Sequence, residues 1–312
     1  MSFRLVLTKD HDGRRLDRTL RSIWPNLPLS AVMKGLRKGY VRLDAVCVRD
    51  PAARVRAGQE LYVRWDEPEA KALPRHRGAL SILWRGDGAL VLNKPANLLV
   101  QPDTAGGDSV ITRVWSLGDA PSAGFAPAAV HRLDRNTTGV LIVALAGDSL
   151  RALERLFKER DLLKEYLAVV VGDAPPSGEV DAPLLKDSAL NTVRVDPEGK
   201  EAHTRFYRLA GGKESSLSLV RVELLTGRTH QARVHLAHAG LPILGDRKYG
   251  NFEANRRWKQ VKRPMLHAWT LTFPEELDPS LAELSGRSFK APVPGDMAGV
   301  FRSLGWNDIE AL

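Results

Sequence analysis

The sequence predicts a two-part α+β protein, a small basic helix/hairpin module followed by a larger domain of mixed strands and helices, and three observations carry that prediction. The length, 312 residues, exceeds one ordinary compact domain and suits two unequal ones. The charge is uneven: residues 14–64 hold twelve Lys and Arg against four Asp and Glu, so +8 of the net +9 lies in one sixth of the chain. Beyond residue 79, β-rich runs and helical stretches follow one another without the regular alternation of a doubly wound parallel sheet.

In the basic segment Leu16, Leu20 and Ile23 recur at helical spacing, and Pro25 and Pro28 interrupt them. Ser30 then stands as the cap of a second helix carrying Val32, Met33 and Leu36, which Gly39 ends. Residues 40–43 and 61–65 alternate as short strands, with Ala57-Gly58 as a turn. Residues 66–79 are polar, contain two prolines and hold no period, as a linker does. The expected division is a basic module at 1–70, a linker at 71–79 and a second domain at 80–312. In that domain residues 90–92, 140–145, 166–171 and 217–225 read as strands. Residues 149–160 place Leu150, Leu153, Leu156 and Phe157 on one helical face behind an Asp148 or Ser149 cap.

Composition excludes several classes of function. With 43% hydrophobic and 27% charged residues the chain can build a core, and a pI near 9.8 draws it to polyanions. The longest uncharged apolar run, 139–147, falls far short of the roughly 18–20 residues that cross a bilayer, and the N-terminus has no signal-like apolar stretch. One cysteine, Cys47, permits no internal disulfide, so a cytoplasmic address and no membrane partner are expected. No phosphate-binding GxxxxGK loop, HExxH, CxxC or GxSxG motif occurs. His230, His235 and His238 match no zinc spacing, so no metal is expected.

The sharpest feature is HRLDRNTTG at 131–139, where charged residues lead directly into an apolar strand. Asp134 then stands at the mouth of that strand, where a carboxylate needs hydrogen bonds or a cation to stay charged. The blander alternative is a turn in which Asp and Thr side chains cap backbone groups. A candidate cation lies in TGRTHQARVHLAHAG, 226–240, which reads as a turn at Thr226-Gly227, a Thr229 cap and a helix over 230–239 stopped by Gly240 and Pro242. Arg233 falls on the face of Leu236 and Ala237, pointing inward. It either meets a carboxylate or packs its stem while the guanidinium reaches solvent.

These segments resemble the RluA-type RNA pseudouridine synthases. HRLDRNTTG is similar to the family's catalytic-aspartate motif, ALVLNKPANLLVQP at 89–102 to its first motif, KEYLAVV at 164–170 to its tyrosine-bearing segment, and 224–250 to its third, over about residues 80–275. The basic segment resembles a ribosomal-protein-like RNA-binding module, and APLLKD, RVDPEGKEAHTRF, DRKYGNFEANR and MLHAWTLTF look most like the RluC branch, which modifies large-subunit ribosomal RNA. The resemblance implies a mixed, mainly antiparallel sheet flanked by helices, a monomer, and no cofactor. It implies that Asp134 is the catalytic carboxylate, that Tyr166 stacks on the target base, that Arg233 pairs with Asp134, and that Arg132 fills the space the flipped nucleotide leaves. Lys94 and Pro95 would be structural. Thr138 stands where Ser is usual, Asn97 where Gly is common, Gln101 where His is frequent, and Ala232 where a larger aliphatic is usual, which bears on how tightly the base is walled in.

Converting uridine to pseudouridine breaks the N-glycosidic bond, turns the uracil and rejoins it through carbon. The reaction needs an ionised carboxylate and an aromatic platform for a base taken out of its stack. In the module, Arg14, Arg15, Arg18, Lys34, Arg37, Lys38 and Arg42 are candidate RNA contacts, which would give affinity more than sequence preference. Two other readings stand beside this one: an RNA-binding ribosome assembly factor whose catalysis is incidental or lost, and a pseudouridine synthase acting mainly on transfer RNA.

Overall fold

The computed structural model describes residues 2–24, 29–65, 78–103, 107–117, 125–187, 189–212 and 216–306. Most of the expected linker, along with Pro25 and Pro28, lies outside them. The N-terminal part comprises β1 (Ser2–Val6), α1 (Leu16–Ile23), α2 (Leu29–Arg37), β2 (Val41–Leu43), β3 (Val46–Cys47) and β4 (Glu60–Arg64). Its sheet has four antiparallel strands in the order β1-β4-β2-β3, not a lone hairpin. β1 was not expected, because its partner β4 lies more than fifty residues away and its side chains are at most half-buried. Leu16, Leu20, Val32 and Leu36 from the helices meet Val41, Leu61 and Val63 from the sheet in a core of their own. Trp24 closes it edge-on against Trp65, with centroids 5.2 Å apart. Ser30 lies inside α2 instead of capping it.

The larger part holds β5 (Ser81–Arg85), β6 (Ala89–Lys94), α3 (Val110–Ser116), β7 (Ala128–Ala129), β8 (Thr138–Ala144), α4 (Gly147–Glu159), β9 (Leu163–Val171) and β10 (Ser177–Asp181). It continues through β11 (Leu184–Asp187), β12 (Thr192–Val195), β13 (His203–Gly212), β14 (Leu217–Leu224), α5 (Gln231–His238), α6 (Phe252–Arg257), β15 (Leu266–Thr272), β16 (Ser288–Lys290) and α7 (Gly295–Ser303). Ten strands form one sheet with the spine β10-β13-β14-β9-β15-β8-β6-β5, to which β16 and β7 attach. Every pairing in it is antiparallel except β15 with β8. The expected mixed α+β architecture is the observed one. Strand β8 is buried along its whole length, which is why it reads as an unbroken apolar run.

The helix expected behind an Asp148 or Ser149 cap begins at Gly147 behind Ala146, whose side chain caps nothing, while Asp148 takes the Ser149 N–H at 2.7 Å from inside the first turn and leaves the Gly147 N–H to another acceptor. The acceptor comes from the N-terminal part: Asp10 Oδ1 takes the Gly147 N–H at 3.3 Å, and Arg151 donates to the Asp10 carbonyl at 3.4 Å. A carboxylate at a helix N-terminus satisfies a free N–H and complements the helix dipole. Among the described residues no helix is long and apolar enough to cross a membrane.

One glycine sets the centre of the sheet. Gly139, at φ 114°, lies so close to β15 that an added Cβ would stand 2.0 Å from the Ala268 carbonyl oxygen. In register, Ala268 faces Gly139 on one side and Tyr166 on the other, so β15 spaces the 131–139 loop from the tyrosine of β9. Gly139→Ala is expected to lower stability by about 3 kcal/mol or more, since a left-handed φ and a backbone clash coincide. Gly58→Ala, at φ 84° with nothing within 4 Å, should cost about 1 kcal/mol. Urea unfolding followed by tryptophan fluorescence checks the pair, and equal small losses would contradict the close approach.

Candidate active site

Three elements converge on one cleft. Asp134 lies in the turn before β8, Tyr166 on β9 and Arg233 on α5. The Asp134 turn is closed by its own backbone, Thr137 N–H donating to the Asp134 carbonyl at 3.1 Å. Two buried cations clamp it from behind. Lys94, with no exposed surface, donates to the carbonyls of Pro95 (2.8 Å), Leu98 (2.7 Å) and Arg135 (3.0 Å). Burial pushes the Lys94 ammonium down to about 7, countered in part by Asp134, while three carbonyls call for all three of its protons. On the other side Arg263 donates to the Asn136 carbonyl at 3.3 Å while Asp296 of α7 holds its guanidinium through two bonds of 2.6 and 2.8 Å.

The expected pairing of Arg233 with Asp134 is present, at 2.8 Å from Nη1 to Oδ2. Arg233 is 8% exposed, so its guanidinium does not reach solvent. Its two other donating nitrogens go to a second carboxylate, Nε to Asp246 Oδ2 at 2.7 Å and Nη2 to Oδ1 at 2.9 Å. Asp246, 1% exposed, also accepts the backbone N–H of Lys248 and Tyr249. Burial alone would push its carboxyl up, but Arg233 and those N–H groups hold it below the usual carboxylate range. Burial likewise opposes the Arg233 charge, and Asp246 with Asp134 outweighs it.

Asp246 went unnoticed in the sequence although a signal existed: it follows the largely apolar run 241–244 after one glycine, as Asp134 stands shortly before another such run. His230 was considered only as a metal ligand. Instead its Nε2 stands 3.8 Å from Asp134 Oδ1 and its Nδ1 bonds the Tyr249 hydroxyl at 2.8 Å. It caps α5 in a left-handed conformation, φ 54°, so the expected Thr229 cap is displaced by one residue. Gln231 ties the turn before the helix, taking the Arg228 N–H at 3.0 Å. His235 is occupied separately by Thr204 and the Ala182 carbonyl.

Tyr166 is half-buried; burial and the Asp134 charge raise its hydroxyl pKa, so it stays neutral. With Leu133, Asp134, Leu224, Ala232, Arg233 and Leu266 it encloses a pocket of about 60 Å³. This opens into a cleft of about 630 Å³ whose rim carries Arg132, Lys158, Arg160, Lys164 and Arg228. Arg132 is exposed at that rim, one residue from Leu133. His131 stacks on Phe157 at 4.7 Å and accepts the Ile142 N–H, and burial holds its ring neutral, down to about 3. Thr138, the departure from Ser, bonds buried His267 at 2.8 Å.

The module's basic residues are not part of this cleft. Arg18, Lys34, Arg37, Lys38 and Arg42 are exposed, and Arg15 pairs with Asp17 at 2.9 Å. Arg14 is half-buried, and burial together with the nearby charge of Arg151 on α4 lowers its pKa.

A family described as RNA pseudouridylate synthase matches residues 88–238. The chain is 37% identical to a ribosomal large subunit pseudouridine synthase C of Escherichia coli, over 86% of this chain and 88% of the relative. It is 32% identical to a ribosomal large subunit pseudouridine synthase D of Vibrio cholerae, over 91% of this chain and 89% of that one. A solved structure of human RNA pseudouridylate synthase domain containing 4 superposes with a TM-score of 0.58 at 24% identity, covering 72% of this chain and 93% of that one, and shares the fold. The cleft's ordered motifs and the match to relatives over nearly their whole length place this chain in the RluA-type family of RNA pseudouridine synthases.

Proposed function

We propose that the chain isomerises selected uridines of large-subunit ribosomal RNA to pseudouridine, with Asp134 as the catalytic carboxylate. The observation that carries this reading is the Asp134–Arg233 pair at 2.8 Å on the wall that Tyr166 shares. The reaction is balanced within the substrate: the N1–C1′ bond breaks, C5–C1′ forms, the C5 proton leaves and N1 gains one. Asp134 attacks the sugar or takes a proton from it. With all three groups ionised, Asp134, Arg233 and Asp246 carry a net single negative charge, which favours positive charge developing on the ribose as the glycosidic bond breaks. Tyr166 offers a face to the flipped uracil, a stack of about 1–3 kcal/mol toward the cost of unstacking. Arg132, exposed beside the pocket, fills the gap in the RNA.

The names of the relatives support large-subunit ribosomal RNA as substrate over transfer RNA, and catalysis over a purely assembly role. Residues 1–70, with a core of their own, act as a basic RNA-binding module joined by a linker at 71–79 to the catalytic domain at 80–312. The exposed Arg18, Lys34, Arg37, Lys38 and Arg42 contact phosphates there, with Arg15 beside Asp17 and the half-buried Arg14 at the edge of that surface. A cytoplasmic monomer fits this work.

Asp134→Asn is expected to fold and bind RNA like the parent while turnover falls about 10²–10⁴-fold. Carbodiimide labelling and primer extension on unmodified large-subunit ribosomal RNA measures this, and undiminished stops with the variant would remove Asp134 from the chemistry. Deleting residues 1–70 should weaken RNA binding and flatten the slope of log affinity against log salt by about 4, as expected for some five phosphate contacts. Titrations across a salt series read the slope, and an unchanged value would exclude the module from binding.

A further inference from the structure

The segment after Asp246 carries charge that the chemistry above leaves unused. Residues 247–262 hold Arg247, Lys248, Arg256, Arg257, Lys259 and Lys262 against one carboxylate, Glu253. All six cations are exposed, and none has an ion-pair partner among the described residues. Arg247, Lys259 and Lys262 converge with Asn255 on one concavity of about 240 Å³. Three like charges around one hollow repel each other unless an anion sits among them. One helical turn before Asn255, Phe252, the first residue of α6, is 76% exposed.

This surface is rigidly built. On its inner side Ala254, Trp258 and Val261 pack on Leu244, Met265 and Phe301. Asn251 caps α6 through the Ala254 N–H at 2.9 Å. Asn255 accepts the Gly245 N–H at 2.7 Å and donates to the Asp246 carbonyl at 2.9 Å, so the wall of the hollow is tied to the residue that aims Arg233. A protein partner would want a contiguous apolar centre, and one ring among six cations does not supply it. Single-stranded nucleic acid is held by this combination, a cationic track with an isolated aromatic that takes a base.

We propose that α6 and its flanking loops form a second RNA contact, in which the hollow between Arg247, Lys259 and Lys262 receives a backbone phosphate and Phe252 stacks on an unpaired base near the target uridine. The proposal rests on the RNA reading above and adds a specificity element to it: uridines with an unpaired neighbour in reach of Phe252 bind better. Filter binding of the full-length protein to an unmodified large-subunit ribosomal RNA transcript, over a salt series, tests it. Phe252→Ala should weaken affinity about tenfold, and Phe252→Trp should retain it. The triple variant Arg247→Gln, Lys259→Gln, Lys262→Gln should flatten the salt slope by about 2. Conversion at saturating RNA in a single turnover should match the parent in each. Parental affinity and slope in both Phe252→Ala and the triple variant would overturn the second contact, including the case in which the surface serves a protein. A parent that binds the transcript yet forms no pseudouridine would count against the proposed function, while the affinities still decide the second contact.

Discussion

One guanidinium shared by two carboxylates is the constraint on which the cleft depends. Asp246, buried and bonded twice to Arg233, leaves only Nη1 free to point at Asp134. The two carboxylates have different settings: the Asp246 side chain has no exposed surface, whereas that of Asp134 keeps 29% and stays open to a ligand. A buried pair broken on one side costs about 3–5 kcal/mol because a charge is left behind. The buried half of the trio is therefore the anchor, and the exposed half is the group proposed for the chemistry. A lysine, with one compact charge, could not bond both carboxylates in this geometry.

The rest of the large domain keeps that trio in register with Tyr166. Gly139 lets β8 approach β15, β15 passes the spacing on to β9, and Lys94 and Arg263 fix the carbonyls of Arg135 and Asn136 on the Asp134 turn. Arg263 in turn is held by Asp296 of α7, so the C-terminal helix takes part in positioning a residue more than 150 positions earlier. Exposed cations are spread over a wider surface than the trio itself: the basic rim of the cleft, the N-terminal part and the charged segment around α6 all present them outward.

Local signals made the central elements legible in the sequence. The apolar run of β8, the amphipathic stretch of α4 and the inward face of Arg233 were readable from periodicity, and the family motifs located Asp134 and Tyr166. What escaped was set by distant partners. Strand β1 is short, shows only Phe3 and Leu5 on its inner face and is defined by pairing with the distant β4, and the N-terminus of α4 is satisfied by Asp10 from another part of the chain. Asp246 and His230 were hidden for a similar reason. One carboxylate beside an apolar run and one histidine in a helix are ordinary until α5 brings both to Arg233 and Asp134. The parallel pairing of β15 with β8 inside an otherwise antiparallel sheet has no signature in either strand.

The claim that Asp246 aims Arg233 is tested most directly by single-turnover tritium release from large-subunit ribosomal RNA labelled at uridine C5, comparing the parent with Asp246→Asn at saturating RNA. The substitution keeps the size of the side chain and removes its charge, so misdirection of Arg233 should slow release about 100-fold with RNA affinity within about twofold of the parent, as small misplacements of catalytic groups do. Release at the parental rate would mean that Arg233 reaches Asp134 without the buried carboxylate, and would contradict the shared-guanidinium description of the site.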